Sequence, residues 1–116
     1  MPIEISFAAP HSTNNLYRNV PGRGRVRTPA YRMWQQSSGW EIKTQWQGKI
    51  AGPFALTIWL PPGLDLDNGV KAIADLIGPG THGLGLTEDD RQMVELHVYR
   101  DGSLKGTCRV RIEGRQ

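Results

Sequence analysis

A chain of 116 residues with 38% hydrophobic and 22% charged residues has room for one hydrophobic core but not two, and is too apolar to be disordered. Its net charge of +3 and isoelectric point near 9.4 favour a polyanionic partner. The single cysteine, Cys108, excludes an intrachain disulfide, and no apolar run is long enough to span a bilayer.

The chain opens on 1-MPIEISFAAP-10, which lacks the basic start and long apolar run of a signal peptide, so the expectation is a cytosolic protein with no membrane partner. Ile3, Ile5 and Phe7 alternate with Glu4 and Ser6, the period of a first strand. Residues 9–27 read as a long loop rich in Asn, Pro, Gly and Arg. A helix begins at 28-TPAYRMW-34, with Thr28 as cap, Pro29 at the first position, and Tyr31 and Trp34 on one face. The 37-SSG-39 triplet interrupts the pattern, and Ile42 and Trp46 continue it.

The run 53-PFALTIWLPP-62 is a central strand closed by two prolines. A second helix starts near Asp67 or Asn68 and ends before 78-GPG-80, with Val70, Ile73, Ala74 and Ile77 facing the core. Two further strands lie in 92-QMVELHVYR-100 and 104-LKGTCRVRI-112, joined by an Asp101-Gly102 hairpin turn. Cys108 alternates within the last strand, as a buried inert thiol does. The expected architecture is α+β: one domain over residues 1–116, a mixed four-stranded sheet with two main helices packed on it.

Charge is distributed unevenly. No acid occurs between Glu4 and Glu41, an interval carrying Arg18, Arg23, Arg25, Arg27 and Arg32. Acid gathers instead in 65-DLDNGVKAIADLI-77 and 87-TEDDRQ-92. Asp65 and Asp67 point the same way if their junction is extended, and two adjacent carboxylates repel unless a cation or proton lies between them. Asp67, Lys71 and Asp75, spaced i, i+4, i+8, form a stripe away from the apolar face. Helix capping needs only one of Asp65, Asp67 and Asn68, so either the others are solvated surface or they hold a cation.

A carboxylate from the 87–92 segment, just before a strand neighbouring 54–60, is expected to reach Asp65 and Asp67. Three carboxylates without cysteine suit Mg²⁺ or Mn²⁺ and not Zn²⁺. Such an ion beside an arginine-rich loop is the layout for phosphodiester hydrolysis, with arginines on the phosphates. Two other motifs fail. An EF-hand loop from Asp65 needs Gly and Glu where Val70 and Leu76 stand, and 78-GPGTHG-83 follows a helix where a dinucleotide cradle must precede one. His11, His82 and His97 show no ligand spacing.

Several blocks in order resemble the RusA-like Holliday junction resolvases: 12-STNNLYR-18, 29-PAYR-32, 65-DLDNGVKAIADLI-77 and 89-DDRQMV-94. The resemblance implies a homodimeric, Mg²⁺-dependent endonuclease that resolves four-way DNA junctions by paired nicks. It implies Asp65, Asp67 and Asp90 as metal ligands and catalytic acids, with Asp89 the less secure of its pair. Lys71 matches a lysine for a phosphate contact or the attacking water, and Asn68 matches a residue orienting the carboxylates. Asn14, Tyr17 and Arg18 match a loop near the active site and DNA. The family's basic run before the Asp-x-Asp block is replaced here by 61-PPGL-64, which shifts DNA contact to Arg23, Arg25 and Arg27. A two-fold dimer suits a junction of approximate two-fold symmetry, since one 116-residue copy carries one nicking site. Two alternatives stand beside this reading: a catalytically idle DNA-binding or regulatory module on the same fold, and a broader flap or fork nuclease.

Overall fold

The computed structural model describes residues 2–10, 17–80 and 83–115. Six strands and two main helices follow in the order β1 (Ile3–Ala8), β2 (Tyr17–Val20), β3 (Gly24–Arg27), α1 (Pro29–Gln45), β4 (Phe54–Leu60), α2 (Leu66–Ile77), β5 (Met93–Arg100) and β6 (Thr107–Gly114). A 3-10 turn, Asp90–Gln92, leads into β5. The main sheet is mixed and four-stranded in the order β1-β6-β4-β5; β2 and β3 form a separate hairpin. The α+β class, the mixed four-stranded sheet and its two helices are therefore as the residue pattern predicts.

The sheet buries one face. Ile3, Ile5 and Phe7 of β1, Leu56, Ile58 and Leu60 of β4, and Cys108, Val110 and Ile112 of β6 point into the core, each at most 1% exposed. The alternate residues, among them Glu4, Trp59, Arg109 and Arg111, form the opposite face. Both helices cover the apolar face. Thr28 caps α1 through its Oγ1, which accepts from the Tyr31 N–H at 3.2 Å, a contact that stabilises a helix by about 1 kcal/mol. Tyr31, Trp34, Gln35, Ser38, Gly39 and Ile42 form its buried stripe.

The 37-SSG-39 triplet does not interrupt α1. Small residues at Ser38 and Gly39 let the helix lie close: Trp34 Nε1 donates to the Ala8 carbonyl at 2.7 Å, Ser38 Oγ reaches the same oxygen at 3.4 Å, and a Cβ on Gly39 would stand 3.4 Å from Leu84. Trp46 is the residue that ends the helix, not part of its face. In α2 the buried set is Gly69, Ala72, Ile73, Leu76 and Ile77, rotated from the expected one; Val70 and Ala74 are only half-buried. Gly69 explains the rotation, since a Cβ there would meet Leu60 at 2.9 Å.

Two expectations fail. Residues 17–27, read as loop, form the β2–β3 hairpin with Tyr17 opposite Arg27. Residues 93–114 do not form a hairpin: β6 lies between β1 and β4, antiparallel to both, while β5 pairs with β4 in parallel. The reason is burial. Cys108, Val110 and Ile112 are fully enclosed, which a central strand provides and an edge strand does not. The Asp101-Gly102 turn is real, with Asp101 Oδ1 accepting from Ser103 N–H at 2.9 Å, but the connection passes across the end of β4.

Candidate functional site

Helix α2 carries acid at both ends. At its start Asp65 is the N-cap: its Oδ1 accepts from the Asp67 N–H at 3.0 Å, and Asn68 Nδ2 lies 3.5 Å from Oδ2. Asp67 sits in the first turn, where the helix dipole favours a negative charge. Both carboxylates are exposed at an open cleft lined also by Gly63, Leu64 and Arg100. The Arg100 guanidinium is held there by donating to the Leu64 carbonyl at 3.1 Å. Capping thus accounts for Asp65, and among the described residues Asp67 makes no side-chain hydrogen bond or ion pair.

The other acidic segment divides in the same way. Glu88 accepts from the Gly52 N–H at 2.8 Å and Asp89 from the Arg91 N–H at 2.9 Å, so both hold the turn together. The Arg91 guanidinium, 2.9 Å from Asp89, holds that carboxyl below the usual carboxylate range. Asp90 is the surplus acid. It stands beside the end of α2, where a Cβ on Gly78 would lie 3.0 Å from its Oδ1. With Asp75, Tyr17, Arg27 and Gln35 it lines a cavity of about 210 Å³.

The expected convergence of Asp65, Asp67 and Asp90 therefore does not form within one chain. Among the described residues no three His, Cys, Asp or Glu side chains are grouped to hold a metal. The parallel pairing of β5 explains this. It sets Met93, just after Asp90, level with Phe54 at the start of β4, whereas Asp65 follows the far end of that strand. Asp65 caps one end of α2 and Gly78 the other, about 20 Å away at 1.5 Å per residue.

Asp75 belongs with Asp90. Partial burial raises its carboxyl pKa, the Asp90 charge raises it further, and Lys71 opposes both. A carboxyl raised on folding costs no stability while protonated in both states, and becomes destabilising as pH rises past its unfolded value. Asp75→Asn is accordingly expected to melt higher than the parent at neutral pH, with the difference vanishing in acid. Melting curves across that range check it; equal melting at neutral pH contradicts it.

Cationic residues gather on the same side. Arg25 lies over the Tyr17 ring at 4.4 Å and Lys71 at 5.8 Å from its centroid. Tyr17 in turn packs edge-on against Tyr31 at 5.4 Å. The Arg27 guanidinium donates to Gln35. The hairpin thus brings Tyr17, Arg25 and Arg27 to the C-terminal half of α2, with exposed Arg18 and Arg23 beyond. Asn14, His11 and His82 lie outside the described residues. His97 lies in the middle of β5, 3.4 Å from Glu95. Cys108 is buried, and burial pushes its thiol up to about 12.

Sequence reasoning missed Arg100 and Gln35. Gln35 carries a signal in hindsight, a polar residue on the apolar stripe of α1; Arg100 becomes a cleft residue only through the parallel register. No protein-family model matches the chain, and no curated protein matches it.

Proposed function

We propose that this protein is a Mg²⁺-dependent endonuclease of branched DNA that acts on four-way junctions as a homodimer. The observation that carries the reading is the arrangement along α2. At one end stand the capping Asp65 and the exposed Asp67 beside Arg100; at the other the half-buried Asp75 meets the exposed Asp90 of the neighbouring turn beside Arg27. Among the described residues no helix is long and apolar enough to cross a membrane.

The donor chemistry fits Mg²⁺, or Mn²⁺, with two carboxylates at a time. Mg²⁺ keeps several waters and takes one or two carboxylates plus substrate phosphate, so Asp67 with Asp65 Oδ2, which Asn68 Nδ2 approaches only at 3.5 Å, would meet that demand. The chemistry a bound ion supplies there is activation of water and stabilisation of the leaving oxygen. Arg100, which lines the same cleft, would contact a phosphate beside those acids. Arg18, Arg23 and Arg25 extend along the hairpin to follow a second strand, and Lys71 lies between the two acid pairs. Asp90 serves the same reaction centre as Asp65 and Asp67 only if a second copy brings it there.

Arg25→Ala should weaken DNA binding across sequences and lower the slope of log affinity against log salt by about 1. An unchanged slope would remove the hairpin from the DNA contact. The reading itself is tested with labelled four-way junction, fork and linear duplex, each in Mg²⁺ and in EDTA. Cleavage of the junction in Mg²⁺ alone supports it. Cleavage of none, with tight binding retained, supports the idle DNA-binding module.

A further inference from the structure

The two edges of the main sheet are treated differently. At β1 the helix α1 closes the edge: Gln45 accepts from the Ser6 N–H at 2.8 Å and donates to the Ser6 carbonyl at 2.6 Å, and Glu41 accepts from the Ala8 N–H at 3.4 Å. At β5 no comparable closure exists among the described residues. Among the described residues no side chain bonds to the outer backbone groups of Val94–Tyr99, and none of these residues is buried. Val94 is 57% exposed, Leu96 43% and Tyr99 51%, so large apolar side chains stand on the open edge, interspersed with Glu95, which pairs with Arg115, and His97. Soluble proteins ordinarily blunt such an edge, because it templates pairing with another strand. Here a one-residue bulge at Val94 disturbs only the beginning; from Glu95 to Arg100 the pairing with β4 is regular.

We propose that the free edge of β5 pairs antiparallel with β5 of a second copy of this chain, joining two four-stranded sheets into one of eight strands. A two-fold axis normal to the sheet keeps like faces together, so paired residues must share a face. The register centred on His97 uses only the regular segment. It sets Leu96 against Val98 of the second copy, apolar against apolar, and Glu95 against Tyr99. Glu95 then lies diagonal to the other imidazole, within the reach of cross-strand neighbours. Shifting the centre to Val98 would set Leu96 against Arg100 instead.

The pairing has a consequence for the site. Helix α2 packs against β4 and β5, and the axis keeps both copies of it on one face of the joined sheet. Two acid-bearing helices would then face one substrate. In that use the inference rests on the nuclease reading, but its test does not.

The test uses purified full-length chain without DNA or metal. Light scattering at micromolar concentration is expected to give about twice the 12.9 kDa chain mass. Leu96→Lys should give the single mass with unchanged circular dichroism. A short bis-maleimide should cross-link His97→Cys, whose two copies face each other. It should not link Val94→Cys, separated by about 20 Å along the paired strands, and parent protein is the control because Cys108 is buried.

A monomeric parent, a dimeric Leu96→Lys, or equal cross-linking at both positions would overturn the pairing. So would a dimer dissociated by Trp40→Ser on the exposed face of α1 and not by Leu96→Lys. A monomer that still cleaves junctions would remove the edge pairing, and with it the homodimer, and leave the metal-dependent nuclease; a β5-paired dimer that cleaves nothing would do the reverse.

Discussion

Asp67→Asn is expected to abolish cleavage of a four-way junction, by ~100-fold or more, the scale on which one lost electrostatic group acts in a preorganised site. Binding of the junction should persist or tighten. The substitution removes a negative charge from a surface that must approach phosphate, and it removes the one carboxylate of the first turn that no structural contact claims. Folding should be almost unaffected, because Asp65 is the cap and Asp67 is exposed. The measurement is a gel assay of cleavage beside a binding titration in Ca²⁺ or EDTA. Loss of binding with cleavage chemistry intact would contradict the assignment. Asp89→Asn is the useful contrast: that carboxylate is occupied with Arg91, so its loss should leave cleavage within a few-fold of the parent.

Ile73→Ala is expected to destabilise the fold by about 2–5 kcal/mol, the range for truncating an enclosed aliphatic side chain. Ile73 is fully buried on the face of α2 that meets the sheet. The melting temperature should fall by about 8–20 °C at roughly 4 °C per kcal/mol. Because α2 carries Asp67, Lys71 and Asp75 on its other side, activity should fall with the folded fraction and recover at low temperature. A shift of only a degree or two would mean that α2 is not anchored as described. Exposed Lys71→Ala, by contrast, should leave melting nearly unchanged while altering activity.

The pattern of the chain reveals most of the elements and conceals how two of them are arranged. Alternation placed β1, β5 and β6, the apolar run closed by two prolines placed β4, and the cap chemistry of Thr28-Pro29 placed α1. The β2–β3 hairpin was hidden because its burial is slight. None of its residues is fully buried, and what orders it is Tyr17 against Tyr31 and Arg27 against Gln35, contacts made with the next element, α1. The order of β5 and β6 was hidden for a related reason. Asp101-Gly102 signals a turn but not which strand follows it into the sheet; that is decided by the need to enclose Cys108, Val110 and Ile112.

The acids show the same division. That some carboxylates exceed what capping requires was legible, since one cap suffices per helix end. Which ones are surplus required coordinates: Asp65, Glu88 and Asp89 hold backbone N–H groups, and Asp67 and Asp90 do not. Their separation along α2 follows from the parallel register of β5, which nothing local encodes.

The most direct measurement of the central claim is the initial cleavage rate of a labelled four-way junction against Mg²⁺ concentration for parent, Asp67→Asn and Asp90→Asn. The account predicts a saturable Mg²⁺ dependence for the parent and no measurable cleavage for either variant. Cleavage in EDTA, or parent-like rates in both variants, would contradict it.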